Sequence, residues 1–316
     1  MLTVWHAIIL GIIQGITEFF PVSSTAHLVL VPWMLHWPSD GGLTFDVALH
    51  AGTLAAIVGF FFTTWVRIIR AGFGAAIDIH TGAPIAGAAL AFQRRLLWFL
   101  ILATIPGGVI GLLFEKQIDT TWRNPLIIAA SLIGVALVMG WADTHCAAAQ
   151  PLLSRAAASP GAGASSFSAG GPSAATLHRQ AKDFDRTTAW EAWWIGCAQA
   201  VAVIPGISRS GATITAGLFA GMTREAAARF SFLLATPIIA GAVLDKAWDA
   251  HKTGIPAAMH APFLAGVLAS TIVGIVSIGL FIRFLRFQTL RFFVWYRIIL
   301  GLAVIALFFF TNFRQF

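Results

Sequence analysis

Residues 203–213 read VIPGISRSGAT and lie inside an apolar stretch that runs from Trp190 to Met222. Arg209 is the only cation of this run. A cationic side chain at the centre of a membrane costs about 2.5–3.5 kcal/mol on insertion scales, so a chain keeps one there mainly where something anionic binds it. The neighbouring serines, glycines and proline are typical of an irregular turn that presents backbone N–H groups to an anion. The run therefore predicts a phosphate site at membrane depth.

The overall composition is that of a membrane protein. Of 316 residues, 58% are hydrophobic and 10% are charged, whereas soluble globular proteins carry roughly 25% charge. The net charge of +7 does not indicate nucleic-acid binding, because the basic residues are dispersed over loops rather than gathered on one face. The two cysteines, Cys146 and Cys197, match neither a disulfide framework nor a metal-binding spacing. We therefore expect an all-α polytopic protein of the lipid bilayer, with no nucleic acid among its partners.

Six apolar stretches are long enough to cross a bilayer, which takes about 20 residues with a range of about 17–25. They are residues 45–66, 96–114, 125–141, 229–246, 262–283 and 293–313. Two more apolar stretches, residues 2–36 and 190–221, are each interrupted near the middle by a polar run that contains proline. Each half is too short to span, so we predict two re-entrant helix–turn–helix units, buried in protein or lining a wet cavity. The alternative is two complete helices joined by a loop at each place.

The arginines and lysines are unevenly divided between the two sides of this topology. One side receives thirteen: Arg67, Arg70, Arg94, Arg95, Arg155, Arg179, Lys182, Arg186, Arg224, Arg229, Arg283, Arg286 and Arg291. The other side receives five: Lys116, Arg123, Lys246, Lys252 and Arg314. The positive-inside rule makes the richer side cytoplasmic. Both termini and the mouth of the first re-entrant unit then face outward, and the second unit enters from the cytoplasm.

A weak internal repeat supports two inverted halves. At an offset of 185 residues the identities are Gly11 with Gly196, Gln14 with Gln199, Ser23 with Ser208, Phe45 with Phe230 and Leu49 with Leu234. Three spans separate the two re-entrant units, so the halves are inverted, as in many secondary transporters. We predict a first repeat at 1–141, a flexible cytoplasmic linker at 142–189 and a second repeat at 190–316.

The first break, residues 14–28 (QGITEFFPVSSTAHL), carries acidic, hydroxyl and imidazole groups. Gln14 and Glu18 are four residues apart and share a helix face, where their oxygens suit Mg²⁺ or Ca²⁺ that also binds substrate phosphates. Ser24 and His27 are three residues apart, a spacing that lets an imidazole serve a serine hydroxyl or a water. The alternative to a catalytic role for His27 is a structural one, as a hydrogen-bonded histidine of the core.

Both breaks are predicted to start a half-helix at membrane depth. Pro21 is expected to end the first helix, and Ser23 or Ser24 can cap the next one. Ser208 or Ser210 can cap the half-helix of the second break, although such serines are most often simple caps. A helix N-terminus carries partial positive charge and free N–H groups. Two of them facing each other would cradle a diphosphate.

Arg209 is predicted to complete this cradle as a phosphate ligand. The serious alternative is a structural ion pair between Arg209 and Glu18. Asp46 and His50, which are four residues apart near the start of the first span, are candidates for supporting groups.

Residues 14–27 (QGITEFFPVSSTAH) and 205–213 (PGISRSGAT) closely resemble the signatures of undecaprenyl-diphosphate phosphatases, the bacitracin-resistance family. The resemblance covers essentially the whole chain, including residues 45–56. It implies a metal-dependent enzyme of the bacterial plasma membrane whose active site opens to the periplasm. Such an enzyme removes the terminal phosphate from the C55 isoprenyl diphosphate and regenerates the lipid carrier for cell-wall synthesis.

The resemblance also implies a role for each matching residue. By position, Glu18 and Gln14 match the metal-associated pair, Ser24 and His27 the nucleophile and base, and Arg209 the phosphate-binding arginine; Ser23, Ser208, Ser210 and Thr213 match phosphate-contacting or supporting residues. Gln14 stands where the family has Glu or Gln, and Ala26 where it more usually has glycine.

We therefore expect a hydrolase of a phosphoric anhydride, an undecaprenyl-diphosphate phosphatase. Its expected partners are a polyprenyl diphosphate and the lipid bilayer, and a homodimer is allowed. The alternative class is a transporter or flippase for an anionic lipid, which the inverted repeat favours. A base and a nucleophile discriminate between the two, because transport needs neither.

Overall fold

The computed structural model describes residues 2–37, 42–74, 87–146 and 187–310. These residues form eleven α-helices and no strands, which confirms the all-α class. The helices are α1 (Val4–Thr17), α2 (Ser24–Leu35), α3 (Gly42–Phe60), α4 (Phe62–Gly72), α5 (Gly87–Thr120), α6 (Pro125–His145), α7 (Ala189–Val201), α8 (Arg209–Phe219), α9 (Arg224–Thr253), α10 (Ala257–Phe287) and α11 (Arg291–Phe310). Most of the predicted linker at 142–189 lies outside the described residues.

Among the described residues, five helical stretches are long and apolar enough to cross a membrane: Leu90–Phe114 within α5, and helices α6, α9, α10 and α11. A sixth candidate is a bent pair, Thr44–Phe60 with Phe62–Gly72, whose parts meet at 75°. The predicted span 45–66 is therefore not one continuous helix. The bend at Phe61 turns the segment that carries Arg67 and Arg70 away from the axis of α3, and cationic side chains favour such an exit from the hydrocarbon. The chain is a multi-pass membrane protein, and the part of it that the structure describes contains five to six candidate spans.

Both predicted breaks are present in the structure. Helix α1 ends at Thr17 and α2 begins at Ser24, while α7 ends at Val201 and α8 begins at Arg209. The four helices have 14, 12, 13 and 11 residues, each below the roughly 17 that a crossing needs. Helix α1 ends four residues before Pro21, as expected because a proline ring clashes with the carbonyl four residues earlier.

Helices from the first half of the chain pack mainly on helices from the second half. Helix α1 lies against α10 and α7 against α5, while α6 pairs with α11, and α3 packs on α10 and, less extensively, on α9. Small residues permit the close approach: a Cβ atom on Gly11 would collide with the carbonyl of Gly266, and one on Gly196 with that of Ala103. Membrane helices commonly associate through such small residues.

Aromatic side chains of α9 and α10 pack against the first break. The ring of Phe19 packs edge-to-face on Phe232 with centroids 5.3 Å apart, and the ring of Phe20 lies 5.2 Å from that of Phe281. Offset and edge-to-face contacts of this kind add to the burial of the rings themselves. The turn between α1 and α2 is therefore fixed against α9 and α10.

Candidate active site

Glu18 is the centre of a buried polar network at the first break, with 5% of its surface exposed. Its Oε1 atom accepts a hydrogen bond from Nη2 of Arg209 at 2.9 Å. Its Oε2 atom accepts from Ser24 Oγ at 2.6 Å and from Gln14 Nε2 at 3.0 Å. The shared helix face of Gln14 and Glu18 is thus confirmed. The ion pair joins residues 191 positions apart, so the two breaks meet at one place.

Ser23 and Ser208 cap α2 and α8 with the same unusual backbone conformation. The φ angle is 74° at both residues, with ψ of 95° and 114°, in a region where a residue with a side chain stores strain of order 1–3 kcal/mol. Each hydroxyl accepts from the backbone N–H three residues on, that of Ala26 at 3.3 Å and that of Gly211 at 3.0 Å. In each predicted pair of serines, the first is the cap. The two helix N-termini are of the kind that binds anions.

Arg209 is also held by groups of the second half of the chain. Its Nη1 atom donates to the carbonyl of Ser231 at 2.9 Å. Thr213 Oγ1 donates to the carbonyl of Arg209 at 2.7 Å and lies 2.7 Å from Ser231 Oγ. Ser210 Oγ donates to the carbonyl of Phe20 at 3.1 Å. Thr213 therefore supports the arginine, and Ser210 joins the second break to the first.

His27 and Ser24 have different hydrogen-bond partners. Nδ1 of His27 lies 2.7 Å from the carbonyl oxygen of Ser23, and Nε2 lies 2.6 Å from the hydroxyl of Tyr296. Because a carbonyl oxygen only accepts, Nδ1 carries a proton, and in the neutral ring Nε2 accepts from Tyr296. The Ser24 hydroxyl donates to Glu18 instead. The structure does not join the predicted base to the predicted nucleophile, and the catalytic role of His27 stays a prediction.

His50 reaches the network from α3. Its Nε2 atom lies 3.4 Å from Glu18 Oε2, and its Nδ1 atom donates to the carbonyl of Asp46 at 2.7 Å. The Asp46 carboxylate pairs with Arg123 at 2.6 Å. Of the two candidate supporting groups, His50 contacts Glu18, and Asp46 orients the imidazole through its backbone.

Arg297 shapes the site, although the sequence pattern assigned it no role. Its side chain is fully buried and donates to carbonyl oxygens of both breaks: those of Pro21 at 3.0 Å, Gly206 at 2.8 Å and Ile207 at 3.0 Å. A further hydrogen bond goes to the carbonyl of Leu132 on α6 at 3.1 Å. Irregular turns leave carbonyls that no helix satisfies. Arg297 satisfies them and clamps the two turns together; its only sequence signal was an arginine inside an apolar span.

A cavity of about 210 Å³, here called the polar cavity, opens onto the network. Its polar wall consists of Glu18, Ser23, Ser24, Thr25, His50, Gln199, Ser208, Arg209 and Ser210. A second cavity of about 460 Å³, here called the apolar cavity, continues between α5 and α9. The two cavities share Val47, Gly107, Val203, Ile238 and Ala242. A cavity with one polar wall thus adjoins a mainly apolar cavity, as an amphiphilic ligand requires.

The oxygen atoms around Glu18 are of the type that Mg²⁺ and Ca²⁺ select. Besides the carboxylate, Gln14 Oε1 is buried without a hydrogen-bond partner, and Ser24 adds a hydroxyl. Among the described residues there is no group of three or more His, Cys, Asp or Glu side chains that could hold an ion. The donor set therefore fits an ion that completes its coordination with phosphate oxygens and water, rather than a cage made by protein alone.

The sequence signature described as Bacitracin resistance protein BacA matches residues 7–303. The chain belongs to the BacA family. Relatives named Undecaprenyl-diphosphatase share this length: that of Pelotomaculum thermopropionicum is 41% identical over 306 residues, 97% of each chain. That of Moorella thermoacetica is 39% identical over 309 residues, 97% of this chain and 98% of its own. That of Geobacter metallireducens is 38% identical over 305 residues, which cover 96% of this chain and 98% of its own. The BacA match contains both breaks and every site residue from Gln14 to Arg297.

Proposed function

We propose that this BacA-family chain hydrolyses undecaprenyl diphosphate to the monophosphate and inorganic phosphate, recycling the lipid carrier for peptidoglycan synthesis and conferring bacitracin resistance. One observation carries the proposal: two serine-capped helix N-termini, Arg209 and Glu18 converge on a polar cavity that adjoins an apolar one. The relatives named Undecaprenyl-diphosphatase support it, since they are 38–41% identical over almost the whole chain. The transporter alternative is not favoured, because these names denote a hydrolase.

The diphosphate headgroup is placed in the polar cavity by this proposal. The first amide groups of α2 and α8 add partial positive charge there, and Arg209 adds a full one in a fork that suits phosphate oxygens. The hydroxyls of Ser23, Ser208 and Ser210 line the same wall. The first isoprene units then lie in the apolar cavity between α5 and α9, and the remainder of the C55 chain lies in lipid.

Hydrolysis breaks the bond between the terminal phosphorus and the bridging oxygen, which leaves with the lipid monophosphate. Either Ser24 or a water molecule attacks the phosphorus. With Ser24 as nucleophile, Glu18 Oε2 is in place to receive the hydroxyl proton at 2.6 Å, and water then cleaves the phosphoserine. His27 acts as the base only after it exchanges its hydrogen bond to Tyr296. Trapping a phosphoserine at Ser24 in quenched enzyme distinguishes the covalent route from direct attack by water.

Glu18 and Gln14 are the residues that would hold Mg²⁺ or Ca²⁺ together with the substrate phosphates. Such an ion, when bound, supplies charge neutralisation at the phosphate oxygens. The chain's own residues bind and orient the headgroup around it: Arg209 at the terminal phosphate, and the capped N-termini of α2 and α8 on either side. A requirement for Mg²⁺ or Ca²⁺ and the formation of a homodimer are predictions from the sequence.

The proposed topology has six membrane spans and two re-entrant units in an inverted repeat, with the halves at 1–141 and 190–316. The helix packing supports it. Helix α1 of the first half lies on α10 of the second half, and the corresponding helix of the second half, α7, lies on α5 of the first. The matching conformations of Ser23 and Ser208, which are 185 residues apart, support it as well. We further propose, as the family resemblance implies, that the protein lies in the bacterial inner membrane with its site open to the periplasm.

Phosphate release by the purified protein in detergent tests the proposal. We expect release of inorganic phosphate from a polyprenyl diphosphate, and loss of that release when a chelator removes divalent cations. Transport cannot produce phosphate in a detergent solution without compartments. Intact protein that binds the lipid diphosphate but releases no phosphate at any metal concentration would contradict the proposal and return the transporter to consideration.

A further inference from the structure

Gln199 on α7 is a buried residue of the polar cavity that the mechanism above does not use. It is 3% exposed, and it lines that cavity. Neither its Oε1 nor its Nε2 atom has a hydrogen-bond partner among the described residues. Buried carboxamides are nearly always hydrogen-bonded, because an unsatisfied polar group away from water is unfavourable. A polar ligand in the cavity would supply the missing partner.

The corresponding residue of the first half shows why this amide is available. Gln14, at the offset of 185 residues, donates through Nε2 to Glu18, which lies four positions later on the same helix face. Four positions after Gln199 the chain has Val203, whose side chain offers no acceptor. The amide group of Gln14 in the first half thus donates to a protein carboxylate, whereas that of Gln199 in the second half is available to a ligand.

The position of Gln199 indicates which phosphate of an amphiphilic lipid diphosphate it would contact. Its Nε2 atom lies close to Gly107, where an added Cβ atom would be 3.1 Å away. Gln199 and Arg209 both line the polar cavity alone, but Gly107 and Val203, which neighbour Gln199 in space and in sequence, line the polar and the apolar cavity. In a lipid diphosphate, the phosphate attached to the lipid lies nearest the apolar chain. That phosphate therefore falls beside Gln199, and the terminal phosphate lies further inside.

We propose that Gln199 is a substrate-binding residue whose Nε2–H donates a hydrogen bond to the lipid-linked phosphate, while Arg209 holds the terminal phosphate. This assignment rests on the proposed function, because it takes a polyprenyl diphosphate as the ligand. It also makes Gln199 a ligand of the lipid monophosphate product, which retains that phosphate.

Equilibrium binding of two radiolabelled probes to the purified protein in detergent tests the assignment. The probes are farnesyl monophosphate, which has a lipid-linked phosphate, and inorganic phosphate. We expect Gln199→Met, which keeps the side-chain length, to bind farnesyl monophosphate at least about tenfold more weakly, as for loss of one hydrogen bond to a charged group. Inorganic phosphate binding should stay at the wild-type value. Gln93→Met is the matched control, since Gln93 Oε1 is also buried without a partner but lines neither cavity.

Wild-type affinity of Gln199→Met for farnesyl monophosphate would overturn the assignment, and so would an equal loss of both probes in a variant with unchanged unfolding temperature. Should the methionine variant not fold, Gln199→Glu serves in its place, and its carboxylate should weaken farnesyl monophosphate binding further. Binding needs no turnover. Failure of the phosphate-release assay would therefore refute the proposed function, while the binding measurements would test the assignment of Gln199 independently.

Discussion

Arg209 donates to Glu18 Oε1 and to the carbonyl of Ser231, each at 2.9 Å, and to the Ser231 hydroxyl at 3.5 Å. A guanidinium carries five N–H donors in a planar fork, so these contacts do not use up its capacity. The ion pair with Glu18 and the binding of a phosphate are therefore compatible roles. The contacts to Glu18 and Ser231 hold the guanidinium in place before a ligand arrives.

Replacing Arg209 by alanine should lower phosphate release at least about a hundredfold, the loss typical of one transition-state charge donor. The rate is measured with purified protein after equal membrane insertion has been verified. Arg229→Ala is the matched control, because Arg229 pairs with Glu225 at 2.8 Å and lines neither cavity. Near wild-type release by a well-inserted Arg209→Ala variant would remove Arg209 from the site.

Gln14→Glu tests the metal-binding role of the first helix. The variant should keep its activity and bind the metal more tightly, because two carboxylates on one helix face repel each other unless a cation lies between them. Phosphate release is followed as a chelator lowers the free metal concentration, and the variant should retain activity at lower concentrations than the wild type. An inactive variant with unchanged unfolding temperature would show that Gln14 does something other than bind metal.

At the scale of the elements, the two turns show how far local sequence rules reach. The capping serines and the shared face of Gln14 and Glu18 follow from spacings of three and four residues. The partner of His27, Tyr296, is 269 positions away, and Arg297 binds backbone carbonyls of distant turns. Spacing carries no information about such contacts, because only the packing of the helices creates them. For the same reason the sequence did not predict the bend at Phe61.

A side chain at Gly206 in the second turn should destabilise the protein more than one at a glycine in open surroundings. Its φ angle is +94°, and an added Cβ atom would lie 2.8 Å from Cβ of Ser131. Gly221 is the matched control, because its φ angle is +83° but its surroundings are open. Alanine at either position should cost about 1–2 kcal/mol for the left-handed backbone. Gly206→Ala should lose about 1–3 kcal/mol more through overpacking. Thermal unfolding in detergent compares the two, and equal unfolding temperatures would contradict the steric account.

At the scale of the whole molecule, cysteine labelling can test the proposed orientation of the protein in the membrane. Cys146 is exposed at the end of α6 and is assigned to the cytoplasmic side. In right-side-out vesicles, with Cys197 replaced by serine, a membrane-impermeant maleimide should not label Cys146. A cysteine introduced by Gly254→Cys, between α9 and α10, should be labelled in a variant that lacks Cys146. The reverse pattern would invert the proposed orientation.

The interleaving of the two halves also sets the order in which the protein can be completed during synthesis. Helix α1 ends at Thr17, whereas its packing partner α10 begins at Ala257. At roughly 5–20 residues per second, about ten to fifty seconds of translation separate them. Throughout the first part of that interval Glu18 sits in an apolar segment before Arg209 has been made. The turn also waits for Arg297, near the end of the chain, to bind its carbonyl at Pro21. The turn between α1 and α2 is thus synthesised early but is completed only when Arg209 and Arg297 have been made.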